Sequence, residues 1–271
     1  MNPICVITGG GSGMGLATAK IIGKDHSIIL VGRTVKKLEG ALKELKDMGF
    51  EAEAFPCDVS DRESVKKLAG YAAKLGSIKA VIHAAGMSPN MGNGEVIFNV
   101  NAMGTIYVNE EFSKVMDKGS CIIDVSSMSA YMAPEDKLPR GEYKTSLLDP
   151  EAFKTKVLGI VSSMPVEMRS GFSYIISKNF VIWYAAQSAC LYGKKGIRVL
   201  SVSPGTFATP MGEIEGKEAA LFAERGALGR VGDVEEIAQL MALIASDAAS
   251  YLTGTDILCD GGAIAAMKIG N

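Results

Sequence analysis

The chain has 271 residues, 48% of them hydrophobic, and a net charge of −2 with no basic block, which excludes nucleic acid as an expected partner. Five cysteines (Cys5, Cys57, Cys121, Cys190, Cys259) stand singly, and His26 and His83 are the sole histidines; this set fits buried thiols in a reducing compartment and offers no metal centre. Residues 1–7 carry neither a basic stretch nor a cleavage signal, and no apolar run reaches membrane-spanning length without a charge. A cytoplasmic protein with no membrane partner is expected.

Residues 4–7 form a short continuous apolar run, the pattern of a strand buried on both faces. It runs into Thr8-Gly9-Gly10-Gly11-Ser12-Gly13-Met14-Gly15 and then a helical pattern over 16–22. Strand, glycine turn and helix in that order make an anion site. Glycines let backbone approach a pyrophosphate, and the helix N-terminus offers free N–H groups and a positive dipole end. On this reading Thr8, Gly9, Gly11, Ser12, Gly13, Met14 and Gly15 belong to a dinucleotide site.

A second strand over 27–31 ends at Gly32-Arg33-Thr34, where such folds face the adenosine ribose. A carboxylate there would bond both ribose hydroxyls; this chain has glycine and then a guanidinium. Arg33, with Thr34 beside it, suits a 2′-phosphate and favours NADP(H) over NAD(H). An amphipathic helix over 35–48 leads to a third strand over 53–57, closing with Asp58-Val59. Asp58 can accept from an adenine amino group or simply bracket a turn, because Ser60, Asp61 and Glu63 form a helix start. A fourth strand over 78–82 ends in His83-Ala84-Ala85-Gly86, where small residues let a flat ligand lie against backbone. His83 is expected to satisfy a local backbone bond.

Residues 96–116 read as one long helix with Gly104 its weak point and Asn101 among apolar neighbours. A buried amide there is structural glue or part of a proton path. The fifth strand, 121–125, ends in Ser126-Ser127 at the cleft. Residues 129–171 break the rhythm, with Pro134, Pro139 and Pro150 and one helix opening at Asp149-Pro150-Glu151. An apolar helix over 174–192 then carries Tyr174-Ile175-Ile176-Ser177-Lys178. Positions i and i+4 share a helix face, so the ammonium lies beside the phenol and favours the phenolate. A tyrosine so placed can exchange a proton near neutral pH. The sixth strand (197–202), the cleft loop with Pro204, Gly205, Thr206, Thr209 and Met211, a lid-like stretch (212–226), a helix through 245 and a seventh strand ending at Asp260-Gly261-Gly262 complete the pattern. Without repeat, linker or low-complexity stretch, residues 1–271 are expected to be one domain.

Taken in order, these motifs resemble the short-chain dehydrogenase/reductase family, in its compact single-domain branch, over essentially the whole chain. Thr8 to Gly15 resembles its T-G-x-x-x-G-x-G, Asp58-Val59 its adenine-contacting acid, and Val100-Asn101-Ala102-Met103-Gly104 the helix with its catalytic asparagine. Val125-Ser126-Ser127 is similar to the strand end with its serine, selecting Ser127, and Tyr174 and Lys178 fill Y-x-x-x-K. Ala84-Ala85-Gly86 follows His83 where the family usually has asparagine. Leu228 to Gly232 and Asp260 to Gly262 resemble its C-terminal signatures.

The resemblance implies an α/β, Rossmann-type doubly wound sheet of seven parallel strands flanked by helices. It also implies a nicotinamide dinucleotide cofactor, NADP(H) where Arg33 favours it, held in part by Tyr174, Lys178, Pro204, Gly205 and Thr209, and a small-molecule ketone or alcohol as substrate. Ser127 and Tyr174 would bond the substrate oxygen, Lys178 would tune Tyr174, and Asn101 would place a relay water. A 3-oxoacyl thioester reductase and a non-catalytic NADP-binding redox sensor are the alternatives. The family commonly spaces its serine and tyrosine about a dozen residues apart; here residues 128–173 intervene, a helical insertion of 132–171. It leaves a cleft strand and returns to the helix of Tyr174, so it is expected beside the substrate mouth, or else as packing only; similar insertions in bacterial hydroxysteroid dehydrogenase/carbonyl reductases imply a bulky apolar ketone such as a steroid and a homodimer in place of the common tetramer.

Overall fold

The computed structural model describes residues 2–270. Seven strands, β1 (Ile4–Thr8), β2 (Ser27–Gly32), β3 (Ala52–Pro56), β4 (Ile78–His83), β5 (Cys121–Val125), β6 (Arg198–Pro204) and β7 (Asp256–Cys259), pair in parallel in the order β3-β2-β1-β4-β5-β6-β7. Continuous apolar runs make this possible, because β1 and β5 bury residues on both faces. In chain order the helices are α1 (Gly13–Ile22), α2 (Val35–Asp47), α3 (Arg62–Leu75), α4 (Gly94–Phe98), α5 (Gly104–Phe112), α6 (Arg140–Tyr143), α7 (Pro150–Ser162), α8 (Arg169–Tyr192), α9 (Pro210–Glu224), α10 (Val234–Ala245) and α11 (Ala263–Ile269). Parallel pairing demands crossovers, and these helices supply them on both sheet faces. One core joins α1, α2 and α10 to the sheet; the other joins α3, α4, α5 and α8 to the opposite face. The doubly wound expectation holds. No helix among the described residues is long and apolar enough to cross a membrane.

Three boundaries differ from the sequence reading. The helix expected over 96–116 is α4, a π-helical turn at Asn99–Met103, and α5, which ends at Phe112. The irregularity thus falls on Asn101, one turn before Gly104. Single π turns inside α-helices recur at functional sites, because the extra residue re-aims one side chain. Second, α8 begins at Arg169, more than a turn before Tyr174, so the Tyr-Lys pair lies well inside the helix. Third, the lid-like stretch is largely helical: α9 is capped by Thr209, whose Oγ1 accepts the Gly212 N–H at 3.1 Å, and it kinks at Gly216.

The insertion is packed as structure. Asp149 caps α7 by accepting the Ala152 N–H at 3.0 Å, with Pro150 in the first helical turn. Phe153, fully buried, stacks on Phe180 of α8 at 4.5 Å between ring centroids and meets Phe98 at 5.5 Å. The buried Tyr143 hydroxyl donates to Asn179 Oδ1 at 3.1 Å, and the Tyr107 hydroxyl to Glu151 Oε1 at 3.0 Å. These contacts fasten the insertion to α4, α5 and α8. Removing a buried phenyl ring commonly costs about 3–5 kcal/mol. Phe153→Ala should therefore lower the denaturation midpoint by a stability loss on that scale while changing the substrate KM less than about threefold, a difference under 1 kcal/mol. Denaturant titration beside steady-state kinetics checks both; a large KM change with intact stability would place Phe153 at the substrate.

Candidate active site

A cleft runs across the C-terminal ends of the strands at the point where strand order reverses between β1 and β4. Open α/β sheets hold ligands at such a switch point, because loops from opposite faces diverge there. One wall is the turn from β1 into α1, with Gly9, Ser12, Gly13, Met14 and Gly15. A Cβ on Gly15 would lie 2.6 Å from the Gly9 carbonyl oxygen, so only glycine lets the helix start this close to the turn. Ser12, the N-cap residue, makes no side-chain capping bond. The first-turn N–H groups that no helix satisfies internally therefore remain for an anion.

The cleft continues past Arg33 after β2, Asp58 and Val59 after β3, and Ala84, Ala85 and Gly86 after β4. Asp58 also holds its own turn, its Oδ1 accepting Ser60 N–H and O–H at 2.9 and 2.7 Å. The opposite wall is Pro204, Gly205, Thr206, Thr209 and Met211. An elongated cleft with an anion-binding helix start, a cationic end and a small-residue floor fits a phosphorylated dinucleotide. Among the described residues no cluster of His, Cys, Asp and Glu could hold a metal ion.

At the far end the side chains expected to do chemistry come together. Ser127, Tyr174 and Lys178 all line the cleft. Ser127 Oγ accepts both the N–H and the hydroxyl of Ser129, at 3.2 and 3.0 Å, which leaves its own proton for a further acceptor. Lys178 Nζ donates to the Val125 carbonyl at 2.9 Å and lies 5.9 Å from the Tyr174 ring centroid. Asn101 lies one layer behind the cleft: it accepts the Met87 N–H at 2.8 Å and donates to the Met87 carbonyl at 3.0 Å. A Cβ on Gly86 would sit 3.3 Å from Asn101 Oδ1 and 3.4 Å from Lys178 Nζ, so both groups converge over that glycine.

Four expected positions are not on the cleft surface. Thr8 is fully buried, its hydroxyl accepting the Ala85 N–H at 3.0 Å and sharing a 2.8 Å hydrogen bond with His83 Nδ1. His83 thus bonds a side chain and not local backbone, correcting the sequence reading; burial and then Lys178 hold its pKa down to about 3, so it is neutral. Gly11 and Thr34 lie outside the lining, Thr34 serving as the N-cap position of α2, and Asn101 acts from behind. Of the two expectations for the insertion, beside the substrate mouth or packing only, the cleft lining favours packing. None of 132–171 lines the cleft; Tyr143, Phe153, Val157 and Val161 pack into the core with α4, α5 and α8, while Leu148 and Val166 are exposed, and Met128, just after Ser127, is the nearest that lines it.

Some lining residues escaped the sequence reading. Lys37, in the first turn of α2, lines the cleft with Arg33, and its four-residue spacing from Arg33 was an available signal. Met87, Met91, Phe207 and Ile214 carry no sequence signal, since apolar side chains in loops read as packing.

The comparisons with known proteins agree with this geometry. Residues 3–138 match the family model described as short chain dehydrogenase, and residues 157–263 one described as enoyl-(acyl carrier protein) reductase. A short-chain dehydrogenase/reductase of Alternaria brassicicola is 33% identical, over 99% of this chain and 98% of its own. A 3-oxoacyl-[acyl-carrier-protein] reductase of Thermotoga maritima is 28% identical, over 96% and 97%. A short chain dehydrogenase from Burkholderia cenocepacia, solved in complex with NADP, superposes with a TM-score of 0.77 at 21% identity, over 96% and 97%. The chain belongs to the short-chain dehydrogenase/reductase family of oxidoreductases.

Proposed function

We propose that the protein is an NADP(H)-dependent reductase of a ketone or aldehyde, reversible as an alcohol dehydrogenase, with Tyr174 as its proton donor. One observation carries this reading: Ser127, Tyr174 and Lys178 share the end of a cleft whose other end presents Arg33 and Lys37. When bound, the nicotinamide supplies the hydride. Tyr174 gives its proton to the substrate oxygen, and the free hydroxyl proton of Ser127 bonds the same oxygen. Lys178, fixed on the Val125 carbonyl, keeps a positive charge beside the phenol and favours release of that proton. Asn101 and Lys178 converge over Gly86, which suits a proton path that re-protonates the tyrosine. A redox sensor without catalysis would not need this complete set.

For NADP(H), the support is two cations at the ribose end and no carboxylate at Gly32. For the substrate, it is Met87, Met91, Met128, Met211, Phe207 and Ile214 around the catalytic end. Methionines adapt to irregular apolar shapes, so a bulky apolar ketone fits. A steroid keeps only that support, since the insertion does not cover the mouth. The Thermotoga maritima relative favours a second reading, reduction of a 3-oxoacyl thioester. The insertion packs on α4 and α8, which supports a homodimer over a tetramer.

General acid catalysis is commonly worth about 10²–10⁴-fold. Tyr174→Phe should cut turnover by that factor while NADPH affinity stays within about threefold, under 1 kcal/mol; single-turnover NADPH oxidation and fluorescence titration measure the two. Retention of a tenth of the activity would overturn the assignment.

Arg33→Ala should weaken NADPH by about 1.5–3 kcal/mol, the scale of a charged hydrogen bond, and leave NADH nearly unchanged. Competitive binding of both nucleotides reads this out. Equal losses would show that Arg33 does not discriminate between them.

A further inference from the structure

Strand register sets a row of polar residues across the sheet beneath the catalytic helix. Thr8, His83, Asp124, Ser201 and Asp256 are successive Cα partners on β1, β4, β5, β6 and β7. Thr8, His83, Asp124 and Ser201 are buried. The row is satisfied at its ends: Thr8 meets His83 and Ala85, and Asp256 Oδ1 accepts from Ser201 and Ser203 at 2.6 and 3.0 Å. Its middle is different. Asp124 Oδ2 accepts from Asn109 Nδ2 at 2.7 Å, while Asp124 Oδ1, Asn109 Oδ1 and His83 Nε2 have no hydrogen-bond partner among the described residues.

Native interiors seldom leave three buried polar atoms unpartnered in one place, and those that persist call for a functional account. Lys178 supplies the context. Its Nζ is fastened to the carbonyl of Val125, the residue after Asp124, and its charge acts on both Asp124 and His83.

We propose that Asp124 is a positioning residue for proton transfer: a carboxylate behind Lys178 that offsets the lysine's field at Tyr174 and so keeps the phenol protonated. This rests on the catalytic reading above for its purpose. Among the described residues, the elements packed around Asp124 bring one cation to it, Lys178. His83 faces it from β4 and is neutral; Asn109 from α5 is uncharged; Ser201 from β6 is uncharged. From α8 come Lys178 and the phenols Tyr184 and Tyr192, both held neutral by burial first. Cys121 on β5 is a buried thiol pushed up to about 12. Asp124 is thus a group on this row whose charge changes near neutral pH. Burial drives its pKa up, to about 7, against the opposing pull of Asn109 and Lys178.

The sign follows. Below that value Asp124 is neutral, the lysine acts unopposed on Tyr174, and the phenolate is reached more easily. Above it the carboxylate is present and the phenol holds its proton. Replacing Asp124 by a neutral isostere should make Tyr174 a stronger acid. At an effective dielectric near 20, one charge contributes about 1.4 kcal/mol, roughly one pH unit, from about 12 Å, and more from nearer.

The test is a near-ultraviolet titration of the Tyr174 phenolate in the protein without nucleotide, isolated by subtracting Tyr174→Phe in each background. Asp124→Asn should lower the Tyr174 midpoint by about one unit. Asn109→Leu should lower it by less, because Asp124 without its hydrogen-bond donor ionises only at higher pH. An unchanged midpoint in the folded Asp124→Asn protein, or in Asn109→Leu if the former does not fold, overturns the proposal. The wild-type protein decides independently: the carbon-13 resonance of the labelled Tyr174 ring should show a second inflection near neutrality, and a single inflection overturns it. No substrate enters these titrations. A shifted midpoint in a protein that reduces no ketone would sink the catalytic reading and leave the electrostatic coupling standing.

Discussion

The site depends on how α8 is tied to the end of β5. Ser126 Oγ donates to the Lys178 carbonyl at 2.6 Å, and Lys178 Nζ donates back to the Val125 carbonyl at 2.9 Å. These two bonds, both in the interior, hold helix and strand in one register. Asn179 adds a third tie, donating to the Ala130 carbonyl at 3.0 Å. Buried hydrogen bonds are costly to leave unmade, so the register is strongly specified. Tyr174 and Ser127, on different elements, are then fixed relative to each other. On the proposed reading, a proton donor and an oxygen-binding hydroxyl held at one cleft end would gain most of their value from that fixed geometry.

The insertion acts as a buttress to the same helix. Phe153, Tyr143 and Trp183 surround Phe180 with ring centroids 4.5 to 5.9 Å away, on the α8 face turned from the cleft. Tyr143 also bonds Asn179, the residue after Lys178. A long excursion inside a compact fold is usually functional; here its contribution is rigidity in the helix that carries Tyr174 and Lys178. The cleft lining near Ser127 comes instead from short loops bearing Met87, Met91 and Met128 and from Ile214 on α9.

What the sequence revealed and what it hid divide along locality. The glycine turn, the buried strands and the Tyr174–Lys178 pair are written in neighbouring residues, so period and spacing expose them. The π turn at Asn99–Met103 leaves no such mark, because one extra residue in an apolar helix does not alter its composition. Where the insertion packs depends on aromatic partners on α4 and α8, far away in sequence. The juxtaposition of His83 with Asp124 is a matter of strand register between β4 and β5, and a one-residue slip would have undone it. His83 itself looked anomalous in sequence; its partner, the buried Thr8 hydroxyl, explains it.

The central claim is that this cleft brings a nicotinamide and a carbonyl carbon together beside Tyr174. Isotope transfer measures that directly. The protein is incubated with NADPH deuterated at the transferred nicotinamide position and a panel of cyclic ketones, linear ketones and 3-oxoacyl thioesters, and the alcohols are analysed by mass spectrometry. The account predicts an alcohol carrying one deuterium on its carbinol carbon. Tight NADPH binding with no deuterium in any product of the panel would contradict it and leave a nucleotide-binding protein in its place.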